Sequence, residues 1–170
     1  MMFKIETERL VLRELVLTDA HFILQLFNTK GWLEFIGDRG VNADEDAKKY
    51  LEDKLIPSYK KNGFGFYLAQ LKDTGIPIGI CGLVKREGLE HTDLGFAFMP
   101  QFNQMGYAYE SSVACLDFAK NKLSLKKLLA ITLPANSSCI KLLKKLNFKF
   151  DKIIQMKDDP DELMLFEITI

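Results

Sequence analysis

Residues 93–148 constrain this chain more than any other stretch. An apolar strand pattern, Leu94-Gly-Phe-Ala-Phe-Met99, runs into Pro100. A polar turn, Gln101-Phe-Asn-Gln-Met105, leads to Gly106-Tyr-Ala-Tyr-Glu110, which opens a helix. A second strand pattern, Leu128–Leu133, meets Pro134-Ala-Asn136 and a further helix that ends at Lys145-Leu-Asn-Phe148. A strand that feeds a Gly-containing turn and a helix start leaves backbone N–H groups and the positive end of the helix dipole aimed at one place. Such a place binds anions, so a phosphate-bearing ligand held by main chain is the first expectation.

The rest of the chain is that of an ordinary globular protein. With 170 residues, 48% hydrophobic and 27% charged, one domain over residues 1–170 with one core is expected. Lys plus Arg equals Asp plus Glu, which argues against a dedicated nucleic-acid binder. No apolar run is long enough to span a membrane, and the start, Met1-Met-Phe-Lys-Ile-Glu6, enters a strand pattern rather than a signal peptide. Cys81, Cys115 and Cys139 are odd in number and far apart, and only His21 and His91 are present. Neither a metal site nor a disulfide framework is indicated, and a reducing cytoplasm fits best.

Along the chain, Leu10–Leu17 reads as a strand, with Thr18-Asp19 as a cap before a helical stripe of Ile23, Leu26 and Phe27. Residues 28–41 show no clean period and read as a loop or broken helix carrying Trp32, Phe35 and Ile36. Asn42-Ala-Asp-Glu45 resembles a capping box for a helix that Pro57 limits. Phe64–Leu71 and Ile76–Leu83 read as a hairpin about Lys72-Asp-Thr-Gly75. A third strand covers Thr92–Met99, helices cover Tyr107–Asn121 and Ser137–Leu146, and two strands close the chain at Lys149–Met156 and Leu163–Ile168. Hairpins mixed with strand–helix–strand units imply an α/β (α+β) fold with one mixed sheet and helices on its faces.

This order resembles the GCN5-related N-acetyltransferase superfamily, and within it the branch of ribosomal-protein N-terminal acetyltransferases. Thr7-Glu-Arg-Leu-Val-Leu-Arg13 is similar to the opening strand of that branch, and Ile78-Gly79 with Gly82-Leu83 to its third. Asp93-Leu-Gly95-Phe resembles the fourth strand, and Pro100 with Gly106-Tyr-Ala-Tyr-Glu110 the pyrophosphate loop. Asn136 with Lys145-Leu-Asn-Phe148 resembles the late helix. Four positions depart from the family pattern. The loop begins with Asn103 and Gln104 instead of Gln or Arg and Gly. Asn147 replaces a Gly, and Cys139 stands where the branch often has Ser.

The resemblance implies a mostly antiparallel sheet and transfer of an acetyl group from acetyl-CoA to an amine by direct attack. The acceptor would be a protein N-terminus or a small-molecule amine, and monomer and homodimer are both open. A non-catalytic acyl-CoA-binding or sensor module on the same fold is the alternative. An alkylamine of pKa about 10.4 is neutral only about once in a few thousand molecules at pH 7, so a base and desolvation are needed. Asp93 is the candidate base, with His91 on the same strand face at i, i+2; Cys139 is the candidate acid, and Asn136 a cap that also serves the catalytic machinery. Tyr107 and Tyr109 are further potential donors, though core packing is the commoner role for such residues. Leu94, Phe96 and Phe98 should face one way, and Asp93, Gly95, Ala97 and Met99 the other. Cofactor contacts are expected from Ala97, Phe98, Met99, Asn103, Gln104, Met105, Gly106, Tyr107, Ala108 and Asn136, with no metal. Lys141, Lys144, Lys145 and Lys149 form a basic cluster that suits a 3′-phosphate, and Asp38, Asp44, Glu45 and Asp46 suit a cationic acceptor. Trp32, Phe35 and Ile36 should border the acceptor cleft.

Overall fold

Period-two alternation builds the sheet. The computed structural model describes residues 2–170 and contains an eight-stranded sheet in the order β1-β2-β3-β4-β5-β6-β8-β7. The strands are β1 (Lys4–Glu6), β2 (Leu10–Glu14), β3 (Phe66–Leu71), β4 (Pro77–Val84), β5 (Asp93–Phe98), β6 (Lys127–Thr132), β7 (Lys149–Gln155) and β8 (Glu162–Thr169). Neighbours are antiparallel except β5 and β6, so the sheet is mixed and mostly antiparallel. The hairpin between β3 and β4 turns at Gly75, whose φ of +73° supplies the left-handed residue.

Six α-helices among the described residues cover the two faces. They are α1 (Ala20–Phe27), α2 (Lys30–Phe35), α3 (Asp44–Tyr50), α4 (Pro57–Asn62), α5 (Tyr107–Asn121) and α6 (Ser137–Lys145). Cys115 and Ala119 of α5 and Leu143 of α6 join Tyr67, Cys81, Leu83 and Leu94 in one core cluster. Ile23 and Leu26 of α1 and Ala47 of α3 join Leu68 and Ile80 in another. The alternation of Tyr67 with Leu68 assigns the two clusters to opposite sheet faces. A fully buried Leu or Ile contributes about 1.5–3 kcal/mol, so both faces are strongly driven to hold their helices. Phe96 and Phe98 pack on the α5–α6 side and Ala97 and Met99 on the α1–α3 side, as the alternation requires.

Several local expectations are revised. The strand pattern at the chain start becomes short β1, which pairs antiparallel with β2. The broken segment contains α2, whose start is capped by Thr29 accepting from the Trp32 N–H. Asp46, rather than Glu45, closes the turn before α3, accepting from the N–H groups of Asn42 and Ala43 at 3.0 Å each. Pro57 does not end that helix. A π-type turn at Leu51–Leu55 intervenes, and Pro57 begins α4, where its missing N–H costs nothing. Cys81 and Cys115, distant in sequence, bring their sulfurs to 3.7 Å between β4 and α5 as free thiols. No described helix is long and apolar enough to cross a membrane.

Candidate active site

The parallel pair at the centre of the sheet is broken almost as soon as it forms. β5 and β6 share one register pair, Asp93 with Leu129, and the Leu129 N–H donates to the Thr92 carbonyl at 2.9 Å. Beyond it the strands diverge, and a cleft of about 870 Å³ opens between them. Its walls include Gly95–Phe98 of β5, Ala130–Thr132 of β6, the turn before α5, the start of α6 and all of α2 except Leu33. From Gly95 onward the β6-facing edge of β5 has no ladder partner. Main-chain groups along such an edge must find a ligand or water.

The turn before α5 is shaped to take an anion. Gly106 is the N-cap, at φ +85°, and contributes no side-chain hydrogen bond. The first helical bond is Glu110 N–H to the Gly106 carbonyl, so the N–H groups of Tyr107, Ala108 and Tyr109 are the uncapped donors of a 15-residue helix. Gln104 also takes the left-handed region, at φ +59°, where glycine would be free of the roughly 1–2 kcal/mol steric cost. The turn keeps its shape because Arg9 braces it. Arg9 Nη1 donates to the Met105 carbonyl at 3.0 Å, its guanidinium lies 4.4 Å from the centre of the Tyr107 ring, and its Nε pairs with Glu110 at 2.7 Å. Thr7 Oγ1 and the Arg9 N–H donate to the same carboxylate at 2.6 and 2.8 Å. Burial pushes Glu110 up, but these bonds outweigh it and hold its pKa below the usual carboxylate range.

At the apex of the cleft Asp93 is 1% exposed, and both its oxygens accept from Arg86 Nε at 3.0 Å. Burial pushes its carboxyl up, and Arg86 only partly opposes this. Across the cleft the Asn136 side chain caps α6, accepting from the Cys139 N–H at 3.2 Å. The cap sets the first turn of α6 and thereby points Cys139 at the cleft wall, beside Thr132. Burial pushes the Cys139 thiol up against the pull of a hydrogen bond with Thr132, so it stays protonated at neutral pH.

Ala97, Phe98, Asn103, Gln104, Gly106, Tyr107, Ala108, Asn136, Asp93 and Cys139 are thus brought to one cleft. Two methionines are not. Met99 packs with the α1–α3 core and spends its N–H on the Ile78 carbonyl, and Met105 points outward, 51% exposed. His91 lines a separate, smaller cavity. Of the four lysines, only Lys145 reaches the cleft, 4.4 Å from the Tyr109 ring centre. The acids Asp38, Asp44, Glu45 and Asp46 lie off the cleft. Asp38 accepts from the Gly40 N–H, Asp44 from His21 and Asp46 from its own helix start. Glu34 of α2 lines the cleft instead. Trp32, Phe35 and Ile36 all line it, with Trp32 stacked on Phe27 at 3.9 Å. The small size of Gly95 has a packing cause: a Cβ there would come within 2.8 Å of the Phe66 ring. No site role was read for Arg9 or Arg86 in the sequence, because their partners lie 101 and 7 residues away with no periodic signal to join them.

Comparison with known proteins agrees with this geometry. The chain is 27% identical over 146 residues to the uncharacterised N-acetyltransferase YnaD of Bacillus subtilis, covering 85% of this chain and 82% of that one. An acetyltransferase from Agrobacterium tumefaciens superposes with a TM-score of 0.82 at 21% identity, over 99% of this chain and 95% of that one. The ribosomal L7/L12 α-N-protein acetyltransferase RimL, in complex with coenzyme A, gives 0.84 at 15% identity over 99% and 98%. Such identities speak for the fold alone. The sequence profile of the acetyltransferase (GNAT) domain matches residues 9–149, most of the chain, and this protein is a member of the GNAT acetyltransferase family.

Proposed function

We propose that the protein is a single-domain, cytoplasmic N-acetyltransferase that moves the acetyl group of acetyl-CoA to a primary amine in a ternary complex. The observation that carries this reading is the splayed β5–β6 pair with an uncapped helix start at its mouth. The residues present fit acetyl-CoA. Donors at Tyr107, Ala108 and Tyr109 suit a pyrophosphate, and the unladdered edge of β5 suits the amides of a pantetheine arm. Lys145 is placed for a phosphate, and RimL, of the same fold, is known in complex with coenzyme A.

In this reading the amine enters from the α2 side and its nitrogen attacks the thioester carbonyl. Main-chain donors of β5 stabilise the oxyanion, an effect worth about 3–4 kcal/mol per donor in comparable sites. Asp93, its pKa raised by burial, receives the amine proton through water. The C–S bond breaks, and the Cys139 thiol protonates the departing thiolate. Asn136 positions Cys139 through the cap.

Titration calorimetry with acetyl-CoA, CoA and ATP is the direct test. Selective binding of the first two, with thiol release in the presence of an amine, is the expected result. Binding without release on any amine would favour a sensor module, and no binding by folded protein would end the reading. Asp93→Asn and Cys139→Ala should each lower kcat by roughly 10²–10⁴-fold with little change in acetyl-CoA affinity. Cys139→Ser should keep part of the rate; an Ala variant as active as the parent would reduce Cys139 to packing.

A further inference from the structure

The two charged side chains at the apex of the cleft are not equally occupied. Arg86 uses only Nε to hold Asp93, and neither of its Nη groups makes a hydrogen bond among the described residues. Its side chain is 31% exposed and lines the cleft. A guanidinium fixed by a buried carboxylate, with its outer edge free, is a preorganised fork for a second planar oxyanion. Asp93 shares the strand face of Gly95, which looks toward Phe66 and the α1–α3 side. The fork is therefore on the opposite face from α5 and its anion-binding turn.

Charge on that side agrees. Lys30 and Arg39 line the cleft there, and neither forms a salt bridge among the described residues; against them stands Glu34, which forms none there either. With Asp93 neutralised by Arg86, this wall carries a cationic excess although the chain as a whole has none. A polyamine would meet like charge here.

We propose that the acetyl acceptor is a small amino acid, and that Arg86 selects it by binding its carboxylate. This rests on the acetyl-transfer reading above. With the carboxylate on the free edge of Arg86, the amine of an α- or β-amino acid would stay in the cleft near the open edge of β5, and its proton would reach Asp93 through water. The same fork thus orients the nucleophile and distinguishes amino acids from plain amines. Arg39 and Lys30 would attract the anion to the cleft without fixing its direction.

The first comparison varies the acceptor and leaves the protein unchanged, and each acid and amide is compared at a pH where both amines are largely neutral. Thiol release from acetyl-CoA is followed with the full chain and each common amino acid, its carboxamide, spermidine and a peptide with a neutral N-terminal sequence. At least one amino acid should exceed its own amide and spermidine in kcat/KM by roughly tenfold or more, because a site built for a polar group rejects the analogue that lacks it. Amides as good as the acids, or preference for spermidine or the peptide, would overturn the proposal. So would turnover of none of them, and calorimetry with acetyl-CoA then tells whether the wider reading falls too. Arg86→Lys retains a cation against Asp93 but removes the fork. The acid-to-amide ratio should fall toward one while KM for acetyl-CoA stays put, and an unchanged ratio would dismiss Arg86 as the selector.

Discussion

Replacing Gly106 with glutamate should weaken acetyl-CoA binding at least about a hundredfold, the equivalent of about 2.7 kcal/mol. Three effects combine. The position sits at φ +85°, where a side chain costs about 1–2 kcal/mol. A Cβ there would lie 3.1 Å from Arg9 Nη2, and a carboxylate attached to it competes for the guanidinium that braces the Met105 carbonyl. The new negative charge also stands where the helix start would receive the pyrophosphate. Calorimetry on the folded variant reads the loss, and circular dichroism confirms the fold. Affinity equal to the parent would remove this turn from the cofactor site.

Arg86→Met should be the most damaging change to stability, and its cost should depend on pH. Removing one partner of a buried ion pair typically costs about 3–5 kcal/mol, because the other charge is left uncompensated. Burial already raises the pKa of Asp93, and Arg86 is the cation that opposes this. Without it the folded-state pKa moves further above the unfolded value of about 3.9. The sign follows from linkage. A carboxyl whose folded pKa is raised is fully tolerated below its unfolded pKa and costs stability as pH rises through the folded one. The deficit relative to the parent should therefore be largest near pH 8 and shrink toward about pH 4, as Asp93 takes up its proton. Urea unfolding at several pH values measures it. A deficit constant across the range would mean that Arg86 contributes packing rather than charge.

What could be read from the chain beforehand was what local chemistry determines. The helix at Tyr107–Asn121 was legible at both ends, because Gly106 begins it and the apolar spacing runs out at Asn121. Asn147, standing where the family pattern has a Gly, takes the left-handed position after α6, at φ +69°. Asn136 was legible as a cap because one short acceptor precedes a helical period. Features that depend on distant partners were not legible. The strand pattern at the chain start did not say that β1 would be three residues long or that its partner would be β2. The brace at Arg9 depends on a partner in α5, and the fork at Arg86 on a partner two turns of chain away across a loop. The acids chosen for the acceptor side were misplaced for a related reason. Asp38 serves a turn, Asp46 closes the start of α3, and Asp44 and Glu45 lie in that helix's first turn, and nothing in their spacing says which way the helix faces.

Because β5 and β6 meet at one residue pair, the sheet is two leaves bound at a short spine: β1 to β5 on one side, β6, β8 and β7 on the other. Core residues of both leaves, Cys81 and Leu94 on one side and Leu128 and Phe166 on the other, share one cluster with α5, so the leaves hold together without a ligand. In the reading proposed above, acetyl-CoA would take the place of the missing length of strand, and at about 100 times its Kd it would stabilise the folded protein by about 2.7 kcal/mol.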